Sequence, residues 1–467
     1  MTFRFRGDAK ILSCSAARPK AKLVGIRAHN PRFRRWSSHL NYIENVEVEG
    51  FWGRKKVSLK LKEDLNFLIG PNGSGKTTII NLISAVLRAD IPALYAVQFE
   101  KVSIRLKAIG ANRKPVIEVA KVVDKKMGSF ELRYTIKEKS SDKGRTYGVE
   151  GPYDERIYRD HRYARHRRYM EEGARLSSIL SELIEVNWLS IHRSSSEVER
   201  RNRREEGYES SVDQKLHDIS QAFSQYFSLL TSKAEAESKN FQEHVFLSLL
   251  DQNRRGGDVL GQVVAKPEDK STVVGVLRDL GVSNAKATKS VNTHFSRLDE
   301  AKTRCEENSG LTLEDAITLS DASRVSEMIN EWRDLQSKRQ AIFEPRIQFE
   351  RIINTLLSGK ELHFDARNNP KVHLETGDKV DIDVFSSGEK QLFILLGEAL
   401  LQEDRPVIFI SDEPELSLHV SWQSSLFENI RSLNGSCQVI SATHSPDIVG
   451  AFQDRVIHIE ECISDVH

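Results

Sequence analysis

The sequence predicts an α/β protein in which two strand-bearing segments at opposite ends of the chain enclose a helical region. An apolar run at 65–69 ends in a glycine-rich loop and continues as a helix with apolar periodicity. A second apolar run, at 407–411, ends in two consecutive acids. Between them, from about 200 to 350, apolar residues recur at mostly helical spacing. These three observations favour one head built from two lobes, with a helical insertion between the lobes.

Length and composition limit the class of protein. The chain has 467 residues, which predicts two or three domains. Hydrophobic residues make up 39% and charged residues 29%, a balance that suits a globular core carrying a solvated helical extension. The net charge of +2 gives no global field for a polyanion, so a nucleic-acid surface would have to be local. No apolar run approaches the ~18 residues of a membrane span, and we expect no membrane segment.

The cysteines and the first residues indicate the setting of the protein. The four cysteines are scattered without a C-x-x-C pair, which argues against zinc or disulfides and for a reducing, cytoplasmic location. Residues 1–40 are rich in Arg and Lys and have no convincing period. They fit a basic nucleic-acid arm or a transit-like leader. We favour a disordered tail, or an upstream start codon ahead of a domain that begins near Asn41.

Alternating apolar residues predict a strand-rich N-terminal lobe over 41–200. A hairpin, Val46–Phe51 with Lys56–Leu61, leads to the strand Leu65–Ile69. Further strands are predicted at Phe99–Leu106, Val116–Val123, Phe130–Ile136 and Val186–Arg193. Residues 156–169 concentrate arginine with interleaved tyrosine, a mixture that can neutralise phosphates and stack on bases. The same mixture equally fits a solvated helix face or a surface for a partner protein.

Residues 70–77 match the pattern G-x-x-x-x-G-K-[ST] between a strand and a helix, which predicts binding of a nucleoside triphosphate. Glycines allow successive N–H groups to turn toward an anion, and the following helix adds its positive N-terminal end. We expect Lys76 to reach the β- and γ-phosphates and the Thr77 hydroxyl to bind Mg²⁺. The predicted loop comprises Gly70, Pro71, Asn72, Gly73, Ser74, Gly75, Lys76, Thr77 and Thr78.

Residues 201–345 are predicted to form a helical insertion. One long helix is expected at Val212–Leu250 and another at about Ala322–Leu357, with an interruption at Asn253–Asp258. Two long amphipathic helices around a helical tip indicate an antiparallel arm. Because its heptads are irregular, we expect a short bundle, which is more often an assembly element than a catalytic one.

The C-terminal lobe, residues 346–467, carries the second set of candidate site residues. A strand predicted at Asp381–Phe385 leads into Ser386, Ser387, Gly388 and Glu389 and then an apolar helix, Leu392–Leu401, so that an anion can approach a helix N-terminus.

Two strand ends supply the remaining candidates. Val407–Ser411 reads as a buried strand ending in Asp412 and Glu413. We expect Asp412 to hold Mg²⁺ and Glu413 to take a proton from the attacking water. His444 follows the predicted strand Cys437–Ala442 and is a candidate sensor of the γ-phosphate.

These four groups occur in the order of the Walker A, signature, Walker B and H-loop motifs, and in that respect the chain resembles an ABC-class P-loop ATPase. The D-loop would be Leu416–His419. The resemblance implies ATP and Mg²⁺ as cofactors, hydrolysis to ADP and phosphate, and a homodimer. In such a dimer Ser387 and Gly388 of one subunit close over ATP held by the other. A Q-loop glutamine is not assigned: Gln98 precedes its strand instead of following one.

Within that class the chain is similar to SMC-like, RecF-like and OLD-family ATPases of AAA type. Three features support this similarity: the Phe51–Gly53 hairpin, the Pro71–Lys76 loop and the long helical insertion. ATP-binding subunits of two-gene anti-phage systems, of the Septu and PARIS kinds, have this appearance. OLD nucleases continue into a Toprim domain after the histidine loop, and we expect no such domain here. The resemblance implies a sensor and scaffold for a separate effector such as a nuclease. The alternative is a DNA-repair or DNA-clamping ATPase of RecF or SMC type, contacting DNA through Arg156–Arg168. A transporter subunit fits the insertion poorly.

Overall fold

The computed structural model describes residues 41–124, 129–139, 142–150, 162–189, 211–250, 267–279, 281–307, 309–310 and 312–465. The predicted α/β class is confirmed, because this part of the chain contains three sheets and a set of helices that includes a long inserted pair. It contains no helix long and apolar enough to cross a membrane.

The central sheet has five strands, all parallel, in the order β14-β3-β13-β12-β8. The strands predicted at 65–69, 407–411 and 437–442 are confirmed within one residue, and so is the first half of the strand predicted at 186–193, whose remainder lies outside the described residues. The β14 strand was not predicted, since three residues are too few to show a period. The strands are β3 (Leu65–Ile69), β8 (Glu185–Leu189), β12 (Val407–Asp412), β13 (Gln438–Ala442) and β14 (Val456–His458).

A second sheet of seven antiparallel strands, in the order β15-β2-β1-β4-β5-β6-β7, lies on one side of this centre. The predicted hairpin is confirmed as the pairing of β1 with β2. The hairpin leads to β3 in sequence, but β3 lies in the central sheet between β13 and β14. The strands are β1 (Asn41–Phe51), β2 (Lys55–Lys60), β4 (Lys101–Ala108), β5 (Val116–Asp124), β6 (Ser129–Lys137), β7 (Arg145–Glu150) and β15 (Ile463–Asp465).

A small antiparallel sheet precedes the predicted signature segment, Ser386–Glu389, and corrects one prediction. It consists of β9 (Lys360–Phe364), β10 (Pro370–Leu374) and β11 (Lys379–Asp381). The strand predicted at Asp381–Phe385 is wrong, because Ile382–Val384 forms a 3₁₀ helix. Ile382 and Phe385 are buried while the two residues between them are exposed. This spacing of three matches a 3₁₀ turn and does not match the two-residue period of a strand.

The helices surround the sheets and form the insertion. The long helices predicted at 212–250 and from about 322 to 357 are confirmed, and the second begins nine residues earlier than expected, after a capping box at Thr312. The helices are α1 (Lys76–Arg88), α2 (Ile91–Ala96), α3 (Arg162–Leu183), α4 (Ser211–Leu250), α5 (Pro267–Asp279), α6 (Asn284–Glu306), α7 (Leu313–Leu356), α8 (Ser387–Leu401), α9 (Val420–Gln423), α10 (Leu426–Leu433) and α11 (Pro446–Val449).

The α4 and α7 helices run antiparallel as an arm. The Phe223 and Phe349 rings lie 4.9 Å apart near the head, and the Phe241 and Trp332 rings lie 5.4 Å apart farther out. Residue numbers therefore rise on one helix as they fall on the other. The predicted boundary between residues 345 and 346 falls inside α7, and the domain limits remain a prediction.

The central sheet separates two hydrophobic cores. Ile408 and Ile410 face the core shared with α1 and the seven-stranded sheet. Phe409, between them, faces the core formed by α8, α10 and the roots of α4 and α7. Because both faces of β12 are buried, its sequence is continuously apolar up to the point where the polar site residues begin.

Candidate nucleotide-binding site

Residues 70–75 form the loop that joins β3 to α1. Gly73 and Gly75 have φ angles of 80° and 99°, in the left-handed region where a side chain is strained. At Gly75 the space is also limited, because a Cβ would lie 3.0 Å from the Trp52 ring and 3.3 Å from the Phe51 ring. The glycine pattern therefore meets both a backbone requirement and a packing requirement.

Lys76 is the first residue of α1, and its side chain folds back into the loop. The side chain is 4% exposed, and Nζ donates hydrogen bonds to the carbonyl oxygens of Gly70 at 2.8 Å and Pro71 at 3.0 Å. Burial lowers the pKa of Lys76, although the nearby charges of Glu413 and Asp412 act to raise it. The ammonium group thus lies inside the loop, close to two acids from the other lobe.

Thr77 and Asp412 bring the two lobes into contact. Thr77 Oγ1 donates a hydrogen bond to Asp412 Oδ1 at 3.1 Å. A hydroxyl and a carboxylate at one point suit Mg²⁺, which prefers oxygen ligands and is commonly held by one or two protein groups together with phosphates and water. The described residues contain no group of three or more His, Cys, Asp or Glu side chains able to hold a metal ion. Thr77 and Asp412 are the residues that would hold a metal ion here, together with the ligand.

Glu413 and His444 follow neighbouring strands and point at one another. Glu413 Oε1 lies 3.9 Å from His444 Nε2, and each side chain is about one third exposed, at 35% and 37%. The Glu413 backbone has a φ of 48°, and its N–H donates to the carbonyl of Ala442 at 2.8 Å. A left-handed residue other than glycine costs on the order of 1–3 kcal/mol, and such strain is concentrated at functional sites. Here the strained residue is the one that directly follows β12.

The predicted signature segment begins α8 with a capping box. The Ser386 hydroxyl accepts from the N–H of Glu389 at 3.3 Å, and Glu389 Oε2 accepts from the N–H of Ser386 at 2.6 Å. Burial acts to raise the pKa of Glu389, but the Lys360 ammonium at 2.8 Å and the bonds from Ser386 outweigh it and hold the pKa below its usual value. The structure therefore gives the Glu389 carboxylate a capping role.

Gly388 lies directly against the predicted D-loop. A Cβ at Gly388 would meet the carbonyl oxygen of Ser417 at 2.5 Å. Farther along α8, Gln391 Nε2 donates to the carbonyl of Pro414 at 3.0 Å. The start of α8 is thus fitted to the loop that follows β12, and the hydrogen bonds of Ser386 and Glu389 described above do not reach the loop 70–75.

The structure brings most of the predicted residues to one edge. Because β3, β12 and β13 are parallel, their carboxyl ends meet, and this edge carries the glycine loop with Lys76 and Thr77, the two acids after β12, and His444 after β13. Ser387 and Gly388 lie at the start of α8 beside the D-loop.

Two residues near this edge were given no role from sequence. Trp52 lies at the turn of the β1–β2 hairpin, is 41% exposed and stacks on Phe51 with ring centroids 4.6 Å apart. The sequence signal for Trp52 was an aromatic residue in a hairpin turn a short distance before the predicted phosphate loop. Glu415, two residues after Glu413, bonds the segment that carries His444. Gln98 lies beside the same hairpin, where its carbonyl accepts from the Trp52 N–H at 3.2 Å.

The arginine-rich segment is only partly described. Residues 156–161 lie outside the described residues, and α3 begins at Arg162. DNA contact through Arg156–Arg168 therefore stays a prediction.

Comparisons with known proteins identify the family of the chain. The family model described as an AAA ATPase domain matches residues 42–449. The teichoic acids export ATP-binding protein TagH of Lactiplantibacillus plantarum is 44% identical over 63 residues, which cover 13% of this chain and only 16% of that protein's length. Among solved structures, the Smc head domain of Pyrococcus furiosus bound to the C-terminal domain of ScpA is 16% identical, with a TM-score of 0.38 and coverage of 88% of this chain and 91% of that one. The Smc head domain of Pyrococcus yayanosii with a coiled coil and joint is 14% identical, with a TM-score of 0.33 and coverage of 88% and 93%. On the match over 42–449, the chain belongs to the family of AAA ATPase domains.

Proposed function

We propose that this chain binds ATP with Mg²⁺ and hydrolyses it to ADP and phosphate. The observation that carries the proposal is the convergence of Lys76, Thr77, Asp412, Glu413 and His444 at one edge of the parallel sheet. Each has the chemistry of one part of a phosphoryl-transfer site: a cation, a pair of oxygen ligands for a metal ion, a base, and a hydrogen-bond donor to the γ-phosphate.

The loop and α1 supply the phosphate-binding part. Lys76 Nζ exchanges the carbonyls of Gly70 and Pro71 for phosphate oxygens, and the loop N–H groups with the α1 N-terminus add positive charge. The Thr77 hydroxyl and the Asp412 carboxylate hold Mg²⁺, which neutralises phosphate charge when it is bound.

Glu413 and His444 supply the proton chemistry. Glu413 orients the attacking water and accepts its proton, a contribution of about 10²–10⁴-fold in rate. His444 donates a hydrogen bond toward the γ-phosphate, so that negative charge is stabilised beside the base. At 3.9 Å, the Glu413 carboxylate and the His444 ring are close enough to face the same ligand.

We further propose that two heads form a homodimer around ATP, with Ser387 and Gly388 completing the partner's site. Two apolar side chains next to this segment are exposed, Leu416 at 44% and Val420 at 59%. Exposed apolar side chains beside a helix N-terminus suit a surface that another protein covers.

For the biological role we propose a sensor and scaffold for a separate effector, such as a nuclease, in anti-phage defence. The arm is joined to the signature helix: the Phe223 and Phe393 rings lie 5.5 Å apart, and Lys390 Nζ bonds Asp213 at 2.8 Å. Because Gln391 of the same helix bonds the carbonyl of Pro414, next to Glu413, a change at the proposed site can reach the arm through α8. The arginine-rich segment that leads into α3 favours the alternative, an ATPase that repairs or clamps DNA.

The test is the steady-state ATPase rate of the purified chain with and without duplex DNA, beside Glu413→Gln and the control Glu428→Gln, an exposed acid on α10. ATP turnover that is lost in Glu413→Gln and kept in the control supports the ATPase proposal. Absence of turnover in the unmodified chain overturns it. Slow turnover indifferent to DNA supports the scaffold, and strong stimulation by DNA supports the clamp.

A further inference from the structure

One carboxylate oxygen outside the proposed reaction organises the strand end that carries His444. Glu415 Oε1 accepts three hydrogen bonds: from Thr443 Oγ1 at 2.6 Å, from the N–H of His444 at 2.9 Å and from the N–H of Ser445 at 3.2 Å. Bonds to an ionised acceptor are roughly twice as strong as neutral ones. The backbone on both sides of the His444 Cα is therefore fixed by one side chain.

The same bonds belong to a closed ring of contacts. Ser445 Oγ donates to Gln423 Oε1 at 2.7 Å, and Gln423 Nε2 donates to the carbonyl of Leu418 at 3.1 Å. Leu418 lies in the loop that begins with Glu413 and contains Glu415. The loop after β12 and the end of β13 thus hold each other through side chains of both segments.

The His444 imidazole takes part in none of these hydrogen bonds. The contact recorded for the His444 imidazole is its approach to Glu413 at 3.9 Å, and the side chain is 37% exposed. Its position therefore depends on the orientation of its backbone. A rotation of this backbone would move Nε2 relative to Glu413, and a misplacement of about 1 Å at a reacting group can cost about 10²-fold in rate.

We propose that Glu415 is a positioning residue that holds His444 opposite Glu413 for the reaction, an inference that rests on the proposed ATP hydrolysis. Glu415 touches neither the phosphate loop nor Thr77 in the bonds described, so its effect is exerted through His444. Loss of Glu415 removes the acceptor of the His444 N–H, while the Ser445 N–H keeps its bond to Thr443 Oγ1 at 3.0 Å. The strand end at His444 is then less restrained, and the loop 70–75 keeps its own bonds.

The test compares Glu415→Ala with Glu415→Gln and the exposed control Glu428→Ala, using the full chain and ATP with Mg²⁺. Glu415→Ala is expected to lower kcat by about 10²-fold with KM unchanged. Glu415→Gln keeps an oxygen acceptor without the charge and is expected to lose about tenfold. Circular dichroism of each variant shows the folded fraction, and all rates are expressed per folded molecule.

A double-mutant cycle with His444→Ala separates positioning from general destabilisation. If Glu415 acts through His444, then Glu415→Ala has no further effect on single-turnover rate in the His444→Ala background. Equal fold losses in the two backgrounds, or an unchanged kcat in Glu415→Ala, would overturn the proposal.

A readout independent of hydrolysis keeps this inference distinct from the proposed function. In protein labelled with ¹³C-histidine, the His444 ring resonance, assigned with His444→Ala, is expected to move in Glu415→Ala and to stay in place in Glu428→Ala. An unmoved resonance rejects the positioning role. If the unmodified chain hydrolyses no ATP, the proposed function fails, and the resonance still decides whether Glu415 orders His444.

Discussion

The Thr77 hydroxyl donates a hydrogen bond to Asp412 Oδ1 at 3.1 Å, although the two residues are 335 positions apart in the chain. Thr77 belongs to the helix after β3, and Asp412 ends β12, with β13 between these two strands. The bond therefore crosses from one lobe to the other at the point where the proposed metal ion would lie. Each lobe contributes an oxygen, and neither lobe has the pair alone.

This pair predicts a change in metal dependence. Asp412→Asn removes a negative charge from the proposed Mg²⁺ site. The Mg²⁺ concentration that gives half-maximal ATPase activity is expected to rise by at least about tenfold. A tenfold change corresponds to the loss of about 1.4 kcal/mol of interaction energy. Titration of activity with Mg²⁺ at fixed ATP measures it. Asp447→Asn, a change in the first turn of α11, serves as the control, and an identical titration curve for Asp412→Asn would refute the assignment.

Replacement of Lys76 by Met is expected to abolish ATP binding, because the buried ammonium is the main cation of the loop. Isothermal titration calorimetry with ATP and Mg²⁺ measures the loss. Binding at unchanged affinity would contradict the role given to Lys76.

The same variant gives a pH prediction. Since burial lowers the pKa of Lys76, the unfolded chain binds more protons than the folded chain between the lowered value and the usual one. The free energy of unfolding therefore gains a contribution that grows as the pH rises through this alkaline window. Urea unfolding at about pH 8 and about pH 10 measures the free energy of unfolding at each pH. From the lower to the higher pH, this free energy is expected to rise less, or to fall more, in Lys76→Met than in the unmodified chain. An equal change of the unfolding free energy with pH in both proteins would contradict the lowered pKa of Lys76.

Glu413→Gln is expected to keep ATP binding and to lower single-turnover hydrolysis by about 10²–10⁴-fold, because the amide cannot accept the proton of water. With ATP bound and not hydrolysed, the closed dimer should accumulate, and light scattering on a size-exclusion column measures its mass. If Glu413→Gln turned over ATP at the same steady-state rate as the control Glu428→Gln, Glu413 would not be the general base.

Gly388→Ala tests the contact between α8 and the D-loop. The added Cβ would lie 2.5 Å from the Ser417 carbonyl, so the helix start must move, at a cost of about 1–3 kcal/mol in unfolding free energy. The proposed dimer and its ATPase activity should weaken as well. Gly275→Ala on α5 is the matched control, because its Cβ would enter open space and should stabilise the helix by about 0.5–1 kcal/mol. Equal effects of the two changes would exclude a specific fit at Gly388.

Trp52→Ala is expected to weaken ATP binding by about 1–3 kcal/mol, since an exposed ring beside Gly75 offers a stacking surface for the base. Trp52→Phe should retain much of the affinity, and both variants should bind inorganic triphosphate like the unmodified chain. Calorimetry with ATP and with triphosphate makes the comparison. A loss that is the same for both ligands would place the effect in the phosphate loop.

The sequence was informative where a pattern is local. The glycine loop and the strands that end at Ile69, Asp412 and Ala442 follow from short stretches, and the structure has them. Ser386 and Glu389 also fit the capping-box pattern S-x-x-E, so the role that the structure gives Glu389 was visible in sequence. The role of Glu415 was not visible, because it depends on which residue of β13 lies opposite Asp412. That register, Asp412 with Ala442, is set by packing of the whole sheet.

The position of β3 between β13 and β14 has a kinetic consequence. Asn66 in β3 donates its side-chain amide to the carbonyl of Val439, 373 positions away, and both neighbours of β3 follow residue 437. A sheet assembled from such distant segments has a high contact order and folds slowly. During synthesis the phosphate loop leaves the ribosome long before either strand that will flank β3. The proposed nucleotide site is therefore completed after translation has passed residue 458, and until then the apolar strand before the loop is a segment that chaperones can bind.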